Sequence, residues 1–203
     1  MNHVIYTDFG ALEVIAGCMF ADKSESLIRR LRRAKYEKKV VAAVKPAIDA
    51  RYSGTDIAAH SGLKFPATPV ATAREILSLP EVQAADLVGI DEAQFLDDGL
   101  VEVCNVLVGQ GKRVLVAGLD QDSRGQPFGV MPVLLAVADF VTKVHAACTI
   151  CGSPATKSQR VVNNTEQVLV GGKDAYEARC RKHWSPEPVF AAQERAFQEE
   201  LDG

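Results

Sequence analysis

Apolar residues occur along this chain in short runs that alternate with segments of helical pattern. Segment 12–16 reads as a short strand, and three nearly continuous apolar runs follow at 40–44, 86–90 and 114–117. Such runs are typical of parallel strands that are covered on both faces. Leu27, Ile28, Leu31 and Ala34 recur at helical spacing, and segments 71–78, 98–108 and 132–139 also have helical character. The alternation predicts an α/β fold, a parallel sheet flanked by helices.

The composition changes near residue 145. Cysteine, glycine, proline and asparagine become frequent there, which indicates a small loop-rich module, and a polar tail follows from Ser185. With 203 residues, 47% of them hydrophobic, the chain can bury one substantial core and carry a small additional module. We therefore expect an α/β domain over 1–144, a small domain over 145–184 and a C-terminal tail over 185–203.

The charge balance argues against a nucleic-acid partner. Lys and Arg total 23 and Asp and Glu total 26, which gives a net charge of −3 and a pI of about 5.8, whereas binding to phosphate backbones needs concentrated positive charge. The basic run at 29–39 is interpreted as the solvated face of a helix. No apolar run of about 18 residues and no export signal is found, so we expect no membrane partner and a cytoplasmic location.

Residues 17–24 have the spacing of a phosphate-binding loop, GxxxxGK[ST]. Gly17, Lys23 and Ser24 match the motif, but Asp22 occupies the position of its second glycine. The order of strand, loop and helix around the octet supports the motif. From this segment alone, an ordinary turn followed by a basic surface helix accounts for the sequence as well as a phosphate-binding loop does.

Asp91 and Glu92 follow directly after the apolar run at 86–90. In doubly wound sheets, ligands bind at the carboxyl edge of the strands, where Asp91 would hold Mg²⁺ and Glu92 would point toward the substrate. The alternative, in which both acids form a helix start or a surface pair, is less favoured because a phosphate-loop candidate precedes them.

Four potential zinc ligands occur as two chelating pairs. They are Cys148, Cys151, Cys180 and His183. CxxC followed by CxxH suits a tetrahedral structural zinc site. A redox CxxC usually begins a helix, which Gly152 and Pro154 oppose here, and a secreted disulfide is disfavoured without an export signal. Cys104 is interpreted as a buried small hydrophobe, and Cys18 has no identifiable partner.

Taken in order, the motifs of this chain resemble those of the type II thymidine kinases. The resemblance runs from about residue 12 to 184. It rests on the motifs at 17–24, 45–52 (Lys-Pro-Ala-Ile-Asp-Ala-Arg-Tyr), 91–95, 118–122, 127–129, 148–151, 171–176 and 180–183. It implies a P-loop parallel sheet with a small C-terminal domain, a zinc-binding lasso that closes over the nucleoside.

The resemblance implies transfer of the ATP γ-phosphoryl group to the 5′-hydroxyl of thymidine or deoxyuridine. Glu92 would be the catalytic base, and Ser24 and Asp91 would hold Mg²⁺. ATP would contact Gly17, Met19, Phe20, Ala21, Asp22, Lys23, Ser24, Arg51, Asp91 and Gln94. The nucleoside would contact Met19, Phe95, Leu119, Phe128, Thr156, Leu169 and Tyr176. The resemblance also implies structural zinc, a homotetramer and feedback inhibition by dTTP.

Three residues depart from the family pattern. Cys18 replaces a common proline, Ser123 stands where a phenylalanine is usual, and Asp22 replaces glycine. Aspartate tolerates left-handed backbone angles better than most residues, so the loop can still form. However, a carboxylate about 4 Å from a phosphate at an effective dielectric near 20 is repelled by roughly 4 kcal/mol. Two alternatives to an active thymidine kinase therefore stay open.

The first alternative is a catalytically weak or inactive nucleoside- or nucleotide-binding relative that zinc stabilises. The second is a P-loop ATPase that acts on nucleic acid, which leaves the lasso and Tyr176 unexplained. Retention of Lys23, Arg51, Glu92 and the four zinc ligands favours the enzyme, because a chain released from catalysis has no chemical need of them together.

Overall fold

The computed structural model describes residues 9–48, 54–162, 166, 172 and 174–188. The chain forms two compact units. The first comprises Met1–Ala16, Lys23–Gly118 and Gly129–Lys143, and the second comprises Gly17–Asp22, Leu119–Phe128 and Val144–Gly203.

The main sheet has six strands. In chain order, the first eight strands are β1 (Ala11–Gly17), β2 (Val41–Pro46), β3 (Asp56–Ala58), β4 (Lys64–Pro66), β5 (Thr68–Val70), β6 (Leu87–Ile90), β7 (Arg113–Leu119) and β8 (Phe140–Lys143). The order across the main sheet is β5-β2-β6-β7-β1-β8, and β3 and β4 form a separate antiparallel pair. The pairs β1–β8, β2–β5, β2–β6 and β6–β7 are parallel, which confirms the predicted sheet.

The strands predicted from apolar runs lie in the core. Every residue of β1 and β6 is buried, as are the five central residues of β7. The run at 40–44 corresponds to β2, which begins at Val41. Val40 is exposed and precedes the strand. Continuous burial explains why these strands lack polar alternation, as expected for a sheet covered on both faces.

Helix α1 (Lys23–Tyr36) packs on the sheet through the apolar face that its sequence predicts. Leu27, Ile28, Leu31 and Ala34 are buried, and the basic residues of 29–39 are exposed except for the half-buried Arg30. A Cβ on Gly89 would lie 2.8 Å from a Leu31 methyl carbon. The glycine in β6 therefore allows α1 to approach the sheet closely.

The other helices with described bounds are short. They are α2 (Pro80–Ala84), α3 (Leu100–Gly109), α4 (Met131–Val137) and two 3₁₀ helices at Ala73–Ser78 and Ala93–Phe95. The expected helical segments 98–108 and 132–139 correspond to α3 and α4, and 71–78 is helical with 3₁₀ geometry. Cys104 on α3 is fully buried, and burial raises the pKa of its thiol to about 12, which confirms its interpretation as a hydrophobe.

The second unit is built from short strands and an apolar cluster. Among its described residues, the strands are β9 (Ala146–Ala147), β10 (Pro154–Ala155), β11 (Lys157–Arg160) and β12 (Tyr176–Arg179). β9 pairs with β10 and β11 pairs with β12, both antiparallel. The module predicted to be rich in loops thus contains two small sheets. The part of the expected C-terminal tail beyond Pro188 lies outside the described residues.

Among the described residues, no helix is both long enough and apolar enough to cross a membrane.

Candidate active site

The start of α1 and the end of β6 meet through a pair of oxygen ligands. Lys23 and Ser24 are the first two residues of α1, and Asp91 follows directly after β6. The Ser24 hydroxyl donates a hydrogen bond to the Asp91 carboxylate. Lys23 is 7% exposed and Asp91 is 5% exposed. The predicted magnesium ligands therefore lie together, in the first unit, at a helix N-terminus that favours anions.

The environment of Asp91 is suited to a cation. Burial, together with the nearby charge of Glu92, raises the pKa of Asp91 to about 7. The hydrogen bond from Ser24 and the charge of Lys23 act in the opposite direction and lower this pKa. Carboxylate and hydroxyl oxygens are ligands that Mg²⁺ accepts, and a bound cation stabilises the ionised carboxylate. The residues present therefore fit a magnesium ion.

Glu92 has an unusual backbone conformation. Its φ of 49° and ψ of 39° are left-handed, a region that costs a residue with a side chain about 1 kcal/mol or more. Such conformations concentrate at functional sites, where the surrounding structure enforces them. The turn sends the chain from β6 directly into the 3₁₀ helix at Ala93–Phe95 and leaves Glu92 half-buried.

Gln94 positions the carboxylate of Glu92. Its amide Nε2 donates a hydrogen bond to Glu92 Oε2, and the side chain is 4% exposed. Two glycines make room for Gln94: a Cβ on Gly118 would lie 2.9 Å from its Oε1, and a Cβ on Gly129 would lie 2.4 Å from its main-chain oxygen. These contacts give a physical reason for glycine at both positions of the motifs 118–122 and 127–129.

The phosphate-loop segment Gly17–Asp22 belongs to the second unit. A Cβ on Gly17 would lie 2.3 Å from the main-chain oxygen of Val144, so glycine is required at this approach. Phe20 and Asp22 have φ values of 64° and 55°. Asp22 adopts the left-handed backbone that its position demands, as expected for aspartate, and its side chain is exposed.

Two hydrogen bonds hold the phosphate-loop segment to β10 and β11. Cys18 Sγ donates to the main-chain oxygen of Ala155 at 3.2 Å, and the Met19 amide donates to Ser158 Oγ at 3.0 Å. Ala21 packs in the same apolar cluster as Cys18 and Ala155. Cys18, which has no identifiable partner from the sequence, thus has a structural one.

The four predicted zinc ligands converge. The ligand atoms of Cys148, Cys151, Cys180 and His183 all lie within 4.8 Å of one another. Cys151 Sγ is 3.8 Å from Cys180 Sγ, and His183 Nδ1 is 3.4 Å from Cys180 Sγ and 3.7 Å from Cys148 Sγ. A tetrahedral zinc ion with Zn–S bonds of about 2.3 Å separates its sulfur ligands by about 3.8 Å. The cluster is therefore consistent with a zinc site.

The surroundings of Cys148 favour a thiolate. Although burial opposes ionisation, main-chain N–H groups of Cys180, Ile150 and Cys151 and the His183 side chain lower the pKa of Cys148 to about 5. The thiolate is the form that binds metal, so these donors prepare the cluster for a cation.

Comparison with known proteins identifies the family. The profile described as thymidine kinase matches residues 10–184. The chain belongs to the thymidine kinase family. It is 52% identical over 185 residues to a thymidine kinase of Coprothermobacter proteolyticus, covering 88% of this chain and 92% of that one. It is 50% identical over 177 residues to a thymidine kinase of a Rhodothermus species, covering 87% and 82%.

A solved structure supports the fold of this thymidine kinase family member independently. The flagellar accessory protein FlaH from Methanocaldococcus jannaschii has a TM-score of 0.51 and 13% identity, covering 72% of this chain and 76% of that one. At that identity the likeness shows the fold alone, a mainly parallel sheet with flanking helices.

The residues that resemblance to thymidine kinases assigns to the nucleoside fall in both units. Phe95 is half-buried in the first. Met19, Leu119, Phe128, Thr156 and Tyr176 are in the second, where Phe128 is 7% and Tyr176 6% exposed. Arg51 and Leu169 lie outside the described residues.

Sequence reasoning missed the polar residues of β11. Lys157, Ser158, Gln159 and Arg160 are all buried, and Ser158 holds the main chain of the phosphate loop. Hydrophobic patterning reads four polar residues as a solvated loop, so only the neighbouring motifs could have drawn attention to them.

Proposed function

We propose that this protein is an ATP-dependent thymidine kinase, which transfers the γ-phosphoryl group of ATP to the 5′-hydroxyl of thymidine and yields dTMP and ADP. The observation that carries the proposal is the arrangement at the end of β6. There the buried Asp91 accepts a hydrogen bond from Ser24, and the next residue, Glu92, is held by Gln94. The family of the chain and these adjacent carboxylates support the same chemistry. No described observation favours the inactive alternative.

The phosphates of ATP would be bound by the segment from Gly17 to Ser24. Main-chain N–H groups of this loop and of the first turn of α1 suit anionic oxygens, and Lys23 would contact the outer phosphates. Ser24 and Asp91 would hold magnesium, which neutralises charge that develops on the transferring group. We assign Arg51 to that group as well, on the resemblance alone.

Glu92 would receive the proton of the 5′-hydroxyl as its oxygen attacks the γ-phosphorus. The bond between that phosphorus and the bridging oxygen of ADP breaks, and the bond to the 5′-oxygen forms. A carboxylate suffices because the proton moves late in a loose transition state. Gln94 would act by orienting Glu92, to which its amide group donates a hydrogen bond.

The nucleoside would contact Met19, Phe95, Leu119, Phe128, Thr156, Leu169 and Tyr176. Zinc at Cys148, Cys151, Cys180 and His183 would be structural, since all four positions of a tetrahedral ion are then taken by protein. A homotetramer, feedback inhibition by dTTP, a cytoplasmic location and the absence of a nucleic-acid partner stay predictions.

The test is release of ADP from Mg²⁺ATP by the zinc-loaded protein with thymidine, deoxyuridine, deoxycytidine or deoxyadenosine as the acceptor. We expect turnover with thymidine and with deoxyuridine, and no turnover with deoxycytidine or deoxyadenosine. ADP release that ignores the nucleoside would show an ATPase, and thymidine binding without ADP release would show the inactive relative.

A further inference from the structure

Arg160 and Tyr176 form a buried pair in the second unit. They lie opposite each other in the register of β11 and β12. Arg160 Nη2 donates a hydrogen bond to the Tyr176 hydroxyl at 2.8 Å, and the guanidinium carbon is 5.3 Å from the centre of the ring. Arg160 is 3% exposed and Tyr176 6%. Because arginine has only donors, the phenol oxygen must be the acceptor in this bond.

The same guanidinium has a second anchor. Arg160 Nη1 donates a hydrogen bond to the main-chain oxygen of Glu166. The planar fork of a guanidinium fixes the relative positions of the groups that it binds. Arg160 therefore ties the phenol of Tyr176 to the main chain that follows β11.

This pair shares a sheet face with residues that meet the phosphate loop. Side chains alternate along a strand, so Ser158 and Arg160 lie on one face of β11, and their partners in β12 are Ala178 and Tyr176. Ser158 Oγ accepts a hydrogen bond from the Met19 amide. Ala178 packs in the cluster that contains Cys18 and Ala21. The face that carries Arg160 is therefore the face toward the loop that includes Met19.

We propose that Arg160 is a positioning residue for nucleoside recognition, which acts by fixing the phenol of Tyr176. The inference rests on the proposed function, in which Met19 and Tyr176 contact the nucleoside. Arg160 itself needs no contact with substrate. Its loss should weaken thymidine binding and leave the binding of ATP unchanged, because neither of the two residues to which its guanidinium donates, Tyr176 and Glu166, is assigned to ATP.

The first experiment compares Arg160→Met with Lys157→Met by steady-state kinetics in thymidine and in ATP. Lys157 is a suitable control because it is also buried in β11, but its Nζ contacts Gln121 Oε1 and the ring of Trp184. A hydrogen bond to a charged group corresponds to about tenfold in an equilibrium constant. We expect the KM for thymidine to rise about tenfold in Arg160→Met only, with the KM for ATP unchanged in both variants.

A double-mutant cycle separates positioning from general damage. If Arg160 acts through the Tyr176 hydroxyl, Tyr176→Phe should raise the KM for thymidine similarly, and the double variant should be no worse than either single one. Arg160→Lys keeps a buried cation with hydrogen-bond donors, so it should recover part of the loss, and it replaces Arg160→Met in the cycle if the methionine variant does not fold.

Three outcomes would overturn this inference and leave the proposed function standing. They are additive changes in the KM for thymidine across the double-mutant cycle, an unchanged KM for thymidine in Arg160→Met, and equal changes in that KM in Arg160→Met and Lys157→Met. Absence of thymidine turnover in the unmodified protein would overturn the proposed function, and the inference with it.

Discussion

The Ser24 hydroxyl donates a hydrogen bond to the Asp91 carboxylate, which joins the first turn of α1 to the end of β6. These residues are 67 positions apart in the chain, and both belong to the first unit. The contact brings a hydroxyl and a buried carboxylate together. The two side chains are therefore expected to function as one magnesium site.

Ser24→Ala and Asp91→Asn should each lower kcat by at least about tenfold, because each removes an oxygen from the cation that stabilises the transferring charge. The double variant should be close to Asp91→Asn alone, since residues that serve one ion are not additive. Turnover at saturating Mg²⁺ATP checks this.

Ser26→Ala is the matched control, because Ser26 lies in the same turn of α1 and has no role in the proposed site. We expect its kcat to equal that of the unmodified protein. Strictly additive losses in Ser24→Ala and Asp91→Asn would argue for two independent roles.

Asp22→Gly should lower the KM for ATP about fivefold. The side chain is exposed, so its repulsion of a phosphate about 4 Å away is screened toward the bulk-water value of about 1 kcal/mol. Glycine also adopts the φ of 55° without strain. Initial rates over a range of ATP concentrations measure the change, and an unchanged or higher KM would show that the carboxylate does not oppose ATP.

Lys38→Gly should stabilise the protein by about 1 kcal/mol. The Lys38 amide donates to Lys35 O and the Lys39 amide to Ala34 O, the two bonds of a Schellman motif, with Lys38 at its left-handed position at φ 65°. Glycine has no Cβ penalty there. Denaturant unfolding measures the gain, and a loss of stability would contradict this reading of the helix end.

Lys38→Gly also serves as the backbone control for Asp22→Gly. Both variants place glycine at an exposed left-handed residue, but Lys38 follows the C-terminus of α1. We expect no change in its KM for ATP. Equal changes in the two variants would attribute the Asp22 effect to the backbone rather than to charge.

The sequence predicts the central strands because β1, β6 and β7 are buried along nearly their whole length. Continuous runs of apolar residues are therefore sufficient to locate them. Three-residue strands such as β3 and β5 are not predicted by this reasoning, because two of the three side chains in each are partly or fully exposed. β11 escapes for the opposite reason, since all four of its residues are polar and yet buried.

The candidate site divides in the same way. The spacing of Cys148, Cys151, Cys180 and His183 predicts their convergence, because chelating pairs at such spacing favour a tetrahedral centre. The left-handed turn at Glu92 has no sequence signal, since it depends on the surrounding packing. The role of Ser158 likewise depends on β11 lying beside the phosphate loop.

Thiol labelling should distinguish the metal ligands from the buried core cysteine. With zinc bound, we expect no alkylation of Cys151, although it is exposed, because a coordinated thiolate is a poor nucleophile. A chelator should make Cys151 reactive. Cys104 should remain unlabelled in both forms, since burial raises its pKa to about 12 and only a thiolate reacts. Mass spectrometry after iodoacetamide treatment measures both sites.

Labelling of Cys104 in the zinc-loaded protein would contradict its burial in the hydrophobic core beneath α3. Labelling of Cys151 at the same rate before and after chelation would contradict a metal at the cluster. Full labelling in denaturant supplies the reference for both cysteines.

The most direct measurement is formation of thymidine 5′-monophosphate from thymidine and Mg²⁺ATP by the unmodified protein, Glu92→Gln and the control Glu102→Gln. Glu102 is an exposed residue of α3. We predict one ADP per dTMP, a kcat at least about 100-fold lower in Glu92→Gln because a general base is lost, and no change in Glu102→Gln. Absence of dTMP in the unmodified protein, or an unchanged kcat in Glu92→Gln, would contradict the account.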